Sequence, residues 1–143
     1  MFYRETWYIV KGSQLTLRQL EHTISQLIMS LYLTHLGHQP QKVSCQLVDK
    51  TVTIIVEDSI TLPEQLLNNT GQENLAKQVR SNIQKAVKVH LKSAIEEVCA
   101  TTIIELFSNF TFDTGHTSIV AILATVPEIV TKQQTELVGD NDG

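Results

Sequence analysis

Apolar residues recur at intervals of three and four over residues 17–36, which is the spacing of a helix with one buried face. Thr16 and Gln19 stand three positions apart at its start, so each side chain can accept a hydrogen bond from the other residue's backbone N–H. Gly37 follows directly and supplies the left-handed conformation that ends many helices. The pattern predicts a first helix over residues 17–36.

A second stretch with the same spacing covers residues 73–98 and predicts one long helix. Thr70 and Glu73 have capping-box spacing at its start. Between the two helices, Thr61 and Pro63 predict a short helix, because a proline in the first turn loses no hydrogen bond there.

Four shorter stretches have the features of strands. Residues 43–47 alternate between apolar and polar, and residues 52–56 form a more continuously apolar partner after a short polar turn. Residues 103–107 and 117–125 predict a second hairpin. The last of these stretches is apolar on both faces, which indicates a central or covered strand.

The order helix, hairpin, helix, hairpin predicts an α+β fold. Two helix–β-hairpin units (αββ-αββ) form one antiparallel sheet with the helices packed on one face, and one helix is long. A split into two semi-independent halves is the alternative. We place this single domain at residues 15–130, an aromatic N-terminal extension at 1–14 and a disordered polar tail at 131–143.

The N-terminal extension is rich in aromatic residues. An added strand, a short docking peptide, and a cloning remnant or misassigned start are all compatible with it. As a docking peptide it is a self-docking segment for the groove of a neighbouring molecule, so a homodimer is an open alternative. Half of the chain's eight aromatic residues lie here: Phe2, Tyr3, Trp7 and Tyr8.

Charge and composition exclude several classes of protein. The formal net charge is −4 and there are only three arginines, whereas nucleic-acid binding needs a cluster of cations. The lysines of the long helix indicate a solvated face with glutamates among them, so we expect no direct lipid binding. The chain lacks the order of a signal peptide and any membrane-spanning apolar run. We expect a cytoplasmic protein.

No set of residues has the spacing of a catalytic or metal site. His35 and His38 straddle Gly37, and no cysteine or carboxylate follows them at a ligand spacing. His116 lies near Asp113, but no nucleophile can be placed beside it. The sequence predicts no catalytic residues, no metal and no cofactor. A small hydrolase or isomerase that uses His116 with Asp113 is the opposing hypothesis.

The two cysteines, Cys45 and Cys99, lie within apolar patterns. Buried free thiols are the usual state of cysteines in such positions. A domain of this size needs no disulfide for stability. We therefore predict that both are buried and unpaired.

Five residues form the predicted peptide-binding site. Phe107, Phe110 and Phe112 continue the third strand and offer aromatic anchors at its end. Glu57 and Asp58 end the second strand and suit a basic partner. The alternatives are core cover for the aromatic residues and support of a helix dipole for the carboxylates. A hairpin edge, which accepts an extended strand, is the second usable surface.

Four stretches of the chain resemble the MpsC-like family, formerly a bacterial domain of unknown function: Leu36–Pro40, Ile55–Glu64, Val79–Arg80 and Thr114–Gly115. The resemblance covers about residues 17–126. Many members have Gly-x-Gly-Pro where this chain has Gly-His-Gln-Pro, so the first of these stretches departs in detail. The motifs mark turns and helix ends, and no catalytic residues can be carried over from the family.

The residues of these motifs are most similar to those of the cyanobacterial members of the family. One branch of those is linked to β-carboxysome assembly, where a small factor acts as a chaperone on shell-protein tails. Other members are associated with a bicarbonate or cation uptake system at the membrane. The resemblance therefore implies a non-enzymatic adaptor or assembly chaperone that binds the C-terminal tail of a shell protein, with carboxysome association. The alternative is an accessory subunit of the membrane uptake system.

Overall fold

The computed structural model describes residues 15–130 of the chain. The predicted segments 1–14 and 131–143 lie outside the described residues. Within the described range the elements follow in the order α1 (Leu17–Leu36), β1 (Lys42–Val48), β2 (Thr51–Glu57), α2 (Leu62–Asn69), α3 (Glu73–Cys99), β3 (Ile103–Phe110) and β4 (Thr117–Leu123).

All four strands form one antiparallel sheet with the order β1-β2-β4-β3. β2 pairs with β4, so strands from both helix–hairpin units lie side by side at the centre. This pairing confirms the α+β prediction with its long helix and excludes two separate halves. β4 is a central strand, as its apolar residues on both faces indicated.

The hydrophobic core lies between the helices and one face of the sheet. β2 and β4 bury every second side chain in it, and α1 and α3 supply the opposing apolar stripes. Each fully buried aliphatic side chain contributes roughly 1.5–3 kcal/mol relative to an exposed one, so this layer is the main source of stability. Its best-buried members are Leu20, Ile24, Ile28, Val52, Ile54, Val56, Ile95, Ile119, Ala121 and Leu123.

The predicted ends of α1 are confirmed. Thr16 and Gln19 exchange hydrogen bonds between backbone and side chain at 2.9 and 3.2 Å. Gly37 adopts a φ of 60° and donates its N–H to the carbonyl of Leu33. Only glycine adopts this left-handed conformation without a steric penalty, so the helix ends here.

The capping box predicted at Thr70 is wrong. α3 begins after Gln72, which makes no side-chain capping bond. The Thr70 hydroxyl donates instead to the carbonyl of Leu66 at 2.7 Å. A hydroxyl that bonds back by four residues serves the helix that is ending, so it does not cap the one that follows.

β3 is longer than its alternation predicts. It continues to Phe110, three residues beyond the predicted end, and its register with β4 shifts between Ile103 and Glu105. Ile104 is the extra residue of this bulge. The bulge shifts the period of two near the start of the strand, and the consecutive polar residues Ser108 and Asn109 end the alternation before the strand itself ends.

Cys45 and Cys99 are free thiols, as predicted, but only Cys99 is buried; Cys45 is half-buried. Burial raises the pKa of Cys45 to about 12, and the nearby carboxylate of Glu21 acts in the same direction. Burial also raises the pKa of Cys99 to about 11. Both thiols therefore stay protonated and unreactive in the native protein at neutral pH.

These thiols predict a loss of stability in alkaline solution. An unfolded thiol has a pKa of 9.0, so the unfolded chain releases these protons at a lower pH than the native protein. The stabilisation is complete below pH 9.0 and is lost as the pH rises toward about 11 for Cys99 and about 12 for Cys45. We expect the free energy of unfolding to fall by up to about 1 kcal/mol per thiol for each pH unit above about 9.

Urea denaturation over this pH range measures the effect. The Cys45→Ala, Cys99→Ala double variant is the control and should lose less stability than the parent chain between neutral and alkaline pH. An equal loss in both proteins would show that other groups govern alkaline unfolding.

Candidate functional site

A buried arginine joins the helices to the sheet. Arg80 of α3 is 0% exposed, and its Nη1 donates to the Glu64 carboxylate of α2 at 3.2 Å. Its Nη2 donates to the hydroxyl of Tyr32 at 3.3 Å, the carbonyl of Ser59 at 3.0 Å and the hydroxyl of Thr117 at 3.2 Å. These partners lie in α1, the β2–α2 connection and β4. One guanidinium group therefore ties three helices to the sheet.

The Glu64 carboxylate also holds the start of α2. Its Oε2 accepts hydrogen bonds from the backbone N–H and the hydroxyl of Thr61 at 3.0 and 2.6 Å. Because Glu64 is 1% exposed, its charge is balanced by Arg80 and these donors instead of water. Burial raises the pKa of Tyr32, although the charge of Arg80 acts in the opposite direction. The phenol therefore stays neutral and accepts a hydrogen bond from Arg80.

The space beside this network is too small for a substrate. The cavity lined in part by Tyr32, Arg80 and Gln84 has a volume of about 10 Å³, whereas ligand pockets usually enclose roughly 300–1,000 Å³. Within residues 15–130, no group of three or more histidine, cysteine or acidic side chains is placed to hold a metal ion. We therefore assign the buried network a structural role.

The histidines have separate surroundings. His38 Nε2 donates to a backbone carbonyl of the β2–α2 connection at 2.6 Å. His35 stacks on His90 of α3, with ring centroids 4.1 Å apart. His116 and Asp113 are exposed residues near the β3–β4 turn, where water surrounds both side chains. None of these sites provides the desolvated acid–base pair that general acid–base catalysis favours.

An open groove lies between the helices and the β3–β4 turn, and we call it the hairpin groove. Phe110 and Phe112 contact each other edge to face in its wall, with ring centroids 5.6 Å apart. Its volume of about 470 Å³ is large enough for several side chains of a peptide. The lining residues are Asn68, Glu73, Lys77, Phe110, Thr111, Phe112 and Asp113.

A second open groove, the strand groove, follows the first half of β3 beside α3. Its volume is about 300 Å³. Phe107 in its lining is 54% exposed. Two lysines and one glutamate line this groove, so its charge is positive although the chain as a whole is negative. The lining residues are Lys88, Lys92, Ile103, Ile104, Glu105, Leu106 and Phe107.

β3 is an edge strand, because it pairs with β4 on one side only. Thr111 donates its N–H to the carbonyl of His116. Counting back along β3 from this pair, every second residue directs its backbone N–H and C=O toward β4. The backbone groups of Leu106, Ser108 and Phe110 therefore point away from the sheet. A side-chain amide oxygen accepts the N–H of Phe110. Among the described residues, the peptide groups of Leu106 and Ser108 are thus left available to an added strand.

The opposite edge strand, β1, has a less accessible backbone. The Glu21 carboxylate of α1 accepts the N–H of Leu47 at 2.8 Å, and α1 packs along this strand. Native proteins commonly protect sheet edges in this way. β3 is therefore the edge better suited to receive a partner.

Three lysines of α3 follow the free edge of β3. Residues 11 and 15 positions after Lys77 lie about 20° and 60° from it around a helix, so Lys77, Lys88 and Lys92 share one side of α3. The helix and the strand run antiparallel, because the short connection at 100–102 joins them. Lys77 consequently lines the hairpin groove, while Lys88 and Lys92 line the strand groove.

The predicted site residues are distributed unevenly over these surfaces. Phe110 and Phe112 line the hairpin groove, and Phe107 lines the strand groove. Neither groove is lined by Glu57 or Asp58. Glu57 lies opposite Lys42 of β1, and the Asp58 carbonyl accepts a hydrogen bond from His38. Peptide binding at these residues stays a prediction. The predicted self-docking residues lie outside the described residues: Phe2, Tyr3, Trp7 and Tyr8.

Two features of the site do not follow from the sequence pattern. The spacing of Lys77, Lys88 and Lys92 indicates a common helix side, but only the structure puts β3 beside it. Glu64 and Arg80 both fall within stretches that carry the family resemblance, yet their spacing does not indicate that they pair. Arg80 alone carries a signal of burial, because it lies on the apolar face of α3; Glu64 is the only buried residue of α2, so its helix gives no such signal.

The fold defines a small α+β domain of two helix–hairpin units, with its accessible grooves along one sheet edge. The chain belongs to the MpsC family, because the family model for the Na⁺-translocating membrane potential-generating system (MpsC) matches residues 16–125. Comparison with curated proteins and with solved structures found no match. Within residues 15–130, no helix has the length and apolar character required to cross a bilayer.

Loss of the buried arginine should destabilise the fold severely. Arg80→Leu leaves the Glu64 carboxylate buried without its counter-charge, which costs about 3–5 kcal/mol of unfolding free energy in comparable pairs. Urea denaturation measures the change. Arg18→Leu, at an exposed position of α1, is the control and should have little effect.

Removing both charges is the sharper form of this test. Arg80→Leu combined with Glu64→Leu should recover part of the loss, because no buried charge is then left unpaired. A double variant that is as unstable as the sum of its two single variants would contradict the role assigned to the pair.

Proposed function

We propose that this protein is a non-enzymatic adaptor that binds an extended segment of a partner protein along β3. The observation that carries the proposal is the free backbone edge at Leu106 and Ser108, which connects two open grooves. Main-chain hydrogen bonds to an edge strand provide affinity, and adjacent grooves provide side-chain specificity.

The two grooves differ in what they select. The hairpin groove offers Phe110 and Phe112 as apolar anchors for a bulky side chain. The strand groove offers Lys88 and Lys92 against a single glutamate. We expect the partner to be an extended segment with an apolar residue at one end, for the hairpin groove, and acidic residues at the other end, for the strand groove.

The absence of enzymatic activity is part of the proposal. His116 and Asp113 are exposed to water, and the cavity of about 10 Å³ beside Arg80 is too small for a substrate. A hydrolase or isomerase based on His116 would lose its turnover on His116→Ala substitution. An adaptor should retain full partner binding with that change.

Two partners are candidates. The family description names a Na⁺-translocating membrane potential-generating system, which supports a protein subunit of such a system. The resemblance to cyanobacterial members supports the C-terminal tail of a carboxysome shell protein, as for the assembly factor CcmS. In both cases the partner is protein, and the lysines of α3 contact acidic side chains instead of lipid.

Proline at the free edge should weaken binding without altering the pairing of β3 with β4. The N–H of Ser108 points away from β4, so Ser108→Pro removes one donor that an added strand needs, and edge strands tolerate proline at such positions. We expect the affinity for a partner peptide to fall several-fold, because one backbone hydrogen bond contributes about 0.5–1.5 kcal/mol. Isothermal titration calorimetry measures the affinity.

Ser108→Ala is the matched control, since it removes the same hydroxyl and keeps the N–H. Thermal denaturation of both variants checks that the fold is intact. Equal affinities for the alanine and proline variants would show that the peptide does not bind as an added strand of β3.

Truncation of the aromatic anchors should weaken partner capture further. Phe110→Ala with Phe112→Ala is expected to reduce binding by at least about 30-fold, because anchors of this kind contribute about 2 kcal/mol or more. Affinity capture from a cyanobacterial lysate, with quantification of bound proteins, measures the effect. Leu33→Ala with Val89→Ala, at exposed apolar positions on α1 and α3, is the control.

The proteins that are captured decide between the partners. Enrichment of shell proteins that depends on Phe110 and Phe112 supports the carboxysome role. Enrichment of membrane-transport subunits alone supports the family description. Flotation with protein-free anionic liposomes is the remaining arm: co-flotation would show direct lipid binding and contradict a protein-only partner.

A further inference from the structure

One face of the sheet is not covered by a helix in the part of the chain that the structure describes. β2 and β4 bury alternate side chains against the helices, so the residues between them point to the other side. We call that side the open face. The strand register places five apolar side chains on it: Phe107, Val120 and Ile122 are direct neighbours, Ile55 lies diagonally across from Val120, and Val48 lies at the other edge beyond a threonine of β2.

The open face is accessible, and its apolar side chains lie among threonine, serine and glutamine side chains. Val48 is 67% exposed and Phe107 is 54% exposed. Val120 and Ile122 are half-buried by their neighbours in the sheet and do not belong to the core cluster. The charged residues on this side lie toward the strand ends, with a glutamate of β3 opposite Ile122. Exposed apolar surface on a sheet can mark a site that another segment or protein covers.

We propose that residues 1–14 of the same chain cover the open face. The segment contains four aromatic residues followed by Ile9 and Val10, so it carries the large apolar surface that such a face requires. The opposite tail, residues 131–143, offers only Leu137 and Val138 as large apolar side chains and includes three carboxylates. The N-terminal segment is therefore the occupant with matching chemistry.

The position where the described structure begins supports this occupant. The Leu15 carbonyl accepts the N–H of Val130, which fixes the point from which the segment departs. Leu15 lies only six residues before Glu21, whose carboxylate accepts a hydrogen bond from Leu47 at the edge of the sheet. Fourteen residues reach up to roughly 46 Å, while four strands span roughly 15 Å and seven strand residues roughly 23 Å. The segment is long enough to cross the whole face.

The positive charge of the segment argues against the strand groove as its binding site, and its covalent attachment argues against a second copy of the chain as the occupant of the open face. The segment carries Arg4 and Lys11 against Glu5, so its positive charge does not suit the lysine-lined strand groove. A second copy of the chain must compete with a segment that is covalently attached, whose effective concentration is in the millimolar range. The inference shares Phe107 with the strand groove of the proposed function, so the two are tested at different residues: peptide binding at Ser108, and covering of the open face at Val48, Val120 and Ile122.

Trp7 reports on this contact directly, because it is the only tryptophan in the chain. In the native full-length protein we expect its fluorescence emission to be blue-shifted relative to the same protein in urea, and protected from acrylamide quenching. Val48→Glu introduces a charge into the open face and should shift the emission to the red and increase quenching. Val120→Thr with Ile122→Thr keeps strand-forming side chains and should act in the same direction.

Val89→Glu is the matched control, because Val89 is 66% exposed on α3, away from the open face. It should leave the Trp7 emission unchanged. Equal red shifts for the Val48 and Val89 variants, or a native emission that already equals that of the unfolded chain, would overturn the proposal. A blue shift that appears only as the concentration rises, together with a dimer in sedimentation analysis, would assign the face to a second copy instead.

Discussion

The arrangement of the helices over the sheet depends on the guanidinium group of Arg80. It is the one cation in the described core, and its five donor contacts lead to α1, α2, β4 and the β2–α2 connection. An ion pair of this kind adds little net stability compared with an apolar pair, because both charges lose their hydration. It is nevertheless specific, since a misplaced α2 or α3 would leave Glu64 or Arg80 buried without a partner. The pair therefore selects one helix arrangement among several that the apolar stripes alone would permit.

This arrangement determines which surfaces remain for function. Because α1 packs along β1 and its Glu21 bonds Leu47, the first edge of the sheet is protected. α3 instead runs beside β3 with its lysines directed toward the two grooves, so the second edge remains accessible. The site is thus a consequence of helix placement, and its chemistry comes from the polar side of a helix whose apolar side forms the core.

Much of the fold can be predicted from local patterns, and the exceptions have physical causes. The start of α1 follows from Thr16 and Gln19, which satisfy each other's backbone without help from the rest of the protein. Thr70 fails as a cap because its hydroxyl has a competing acceptor in the preceding helix. The candidate site is less predictable: the aromatic residues indicate its anchors, but the lysines become part of it only through the packing of α3 beside β3. Spacing along one helix does not contain that information.

The free edge and the open face differ in how they resist self-association. An exposed strand edge invites pairing with a second copy of itself, and flanking lysines oppose this because two such edges would repel each other. Lys88 and Lys92 thus discourage self-association and at the same time favour an acidic partner. The open face carries both signs of charge, with Lys42 opposite Glu57, so repulsion between two copies does not protect it. A covalently attached aromatic segment, as proposed for residues 1–14, would cover that face locally and leave the charged edge accessible to another protein.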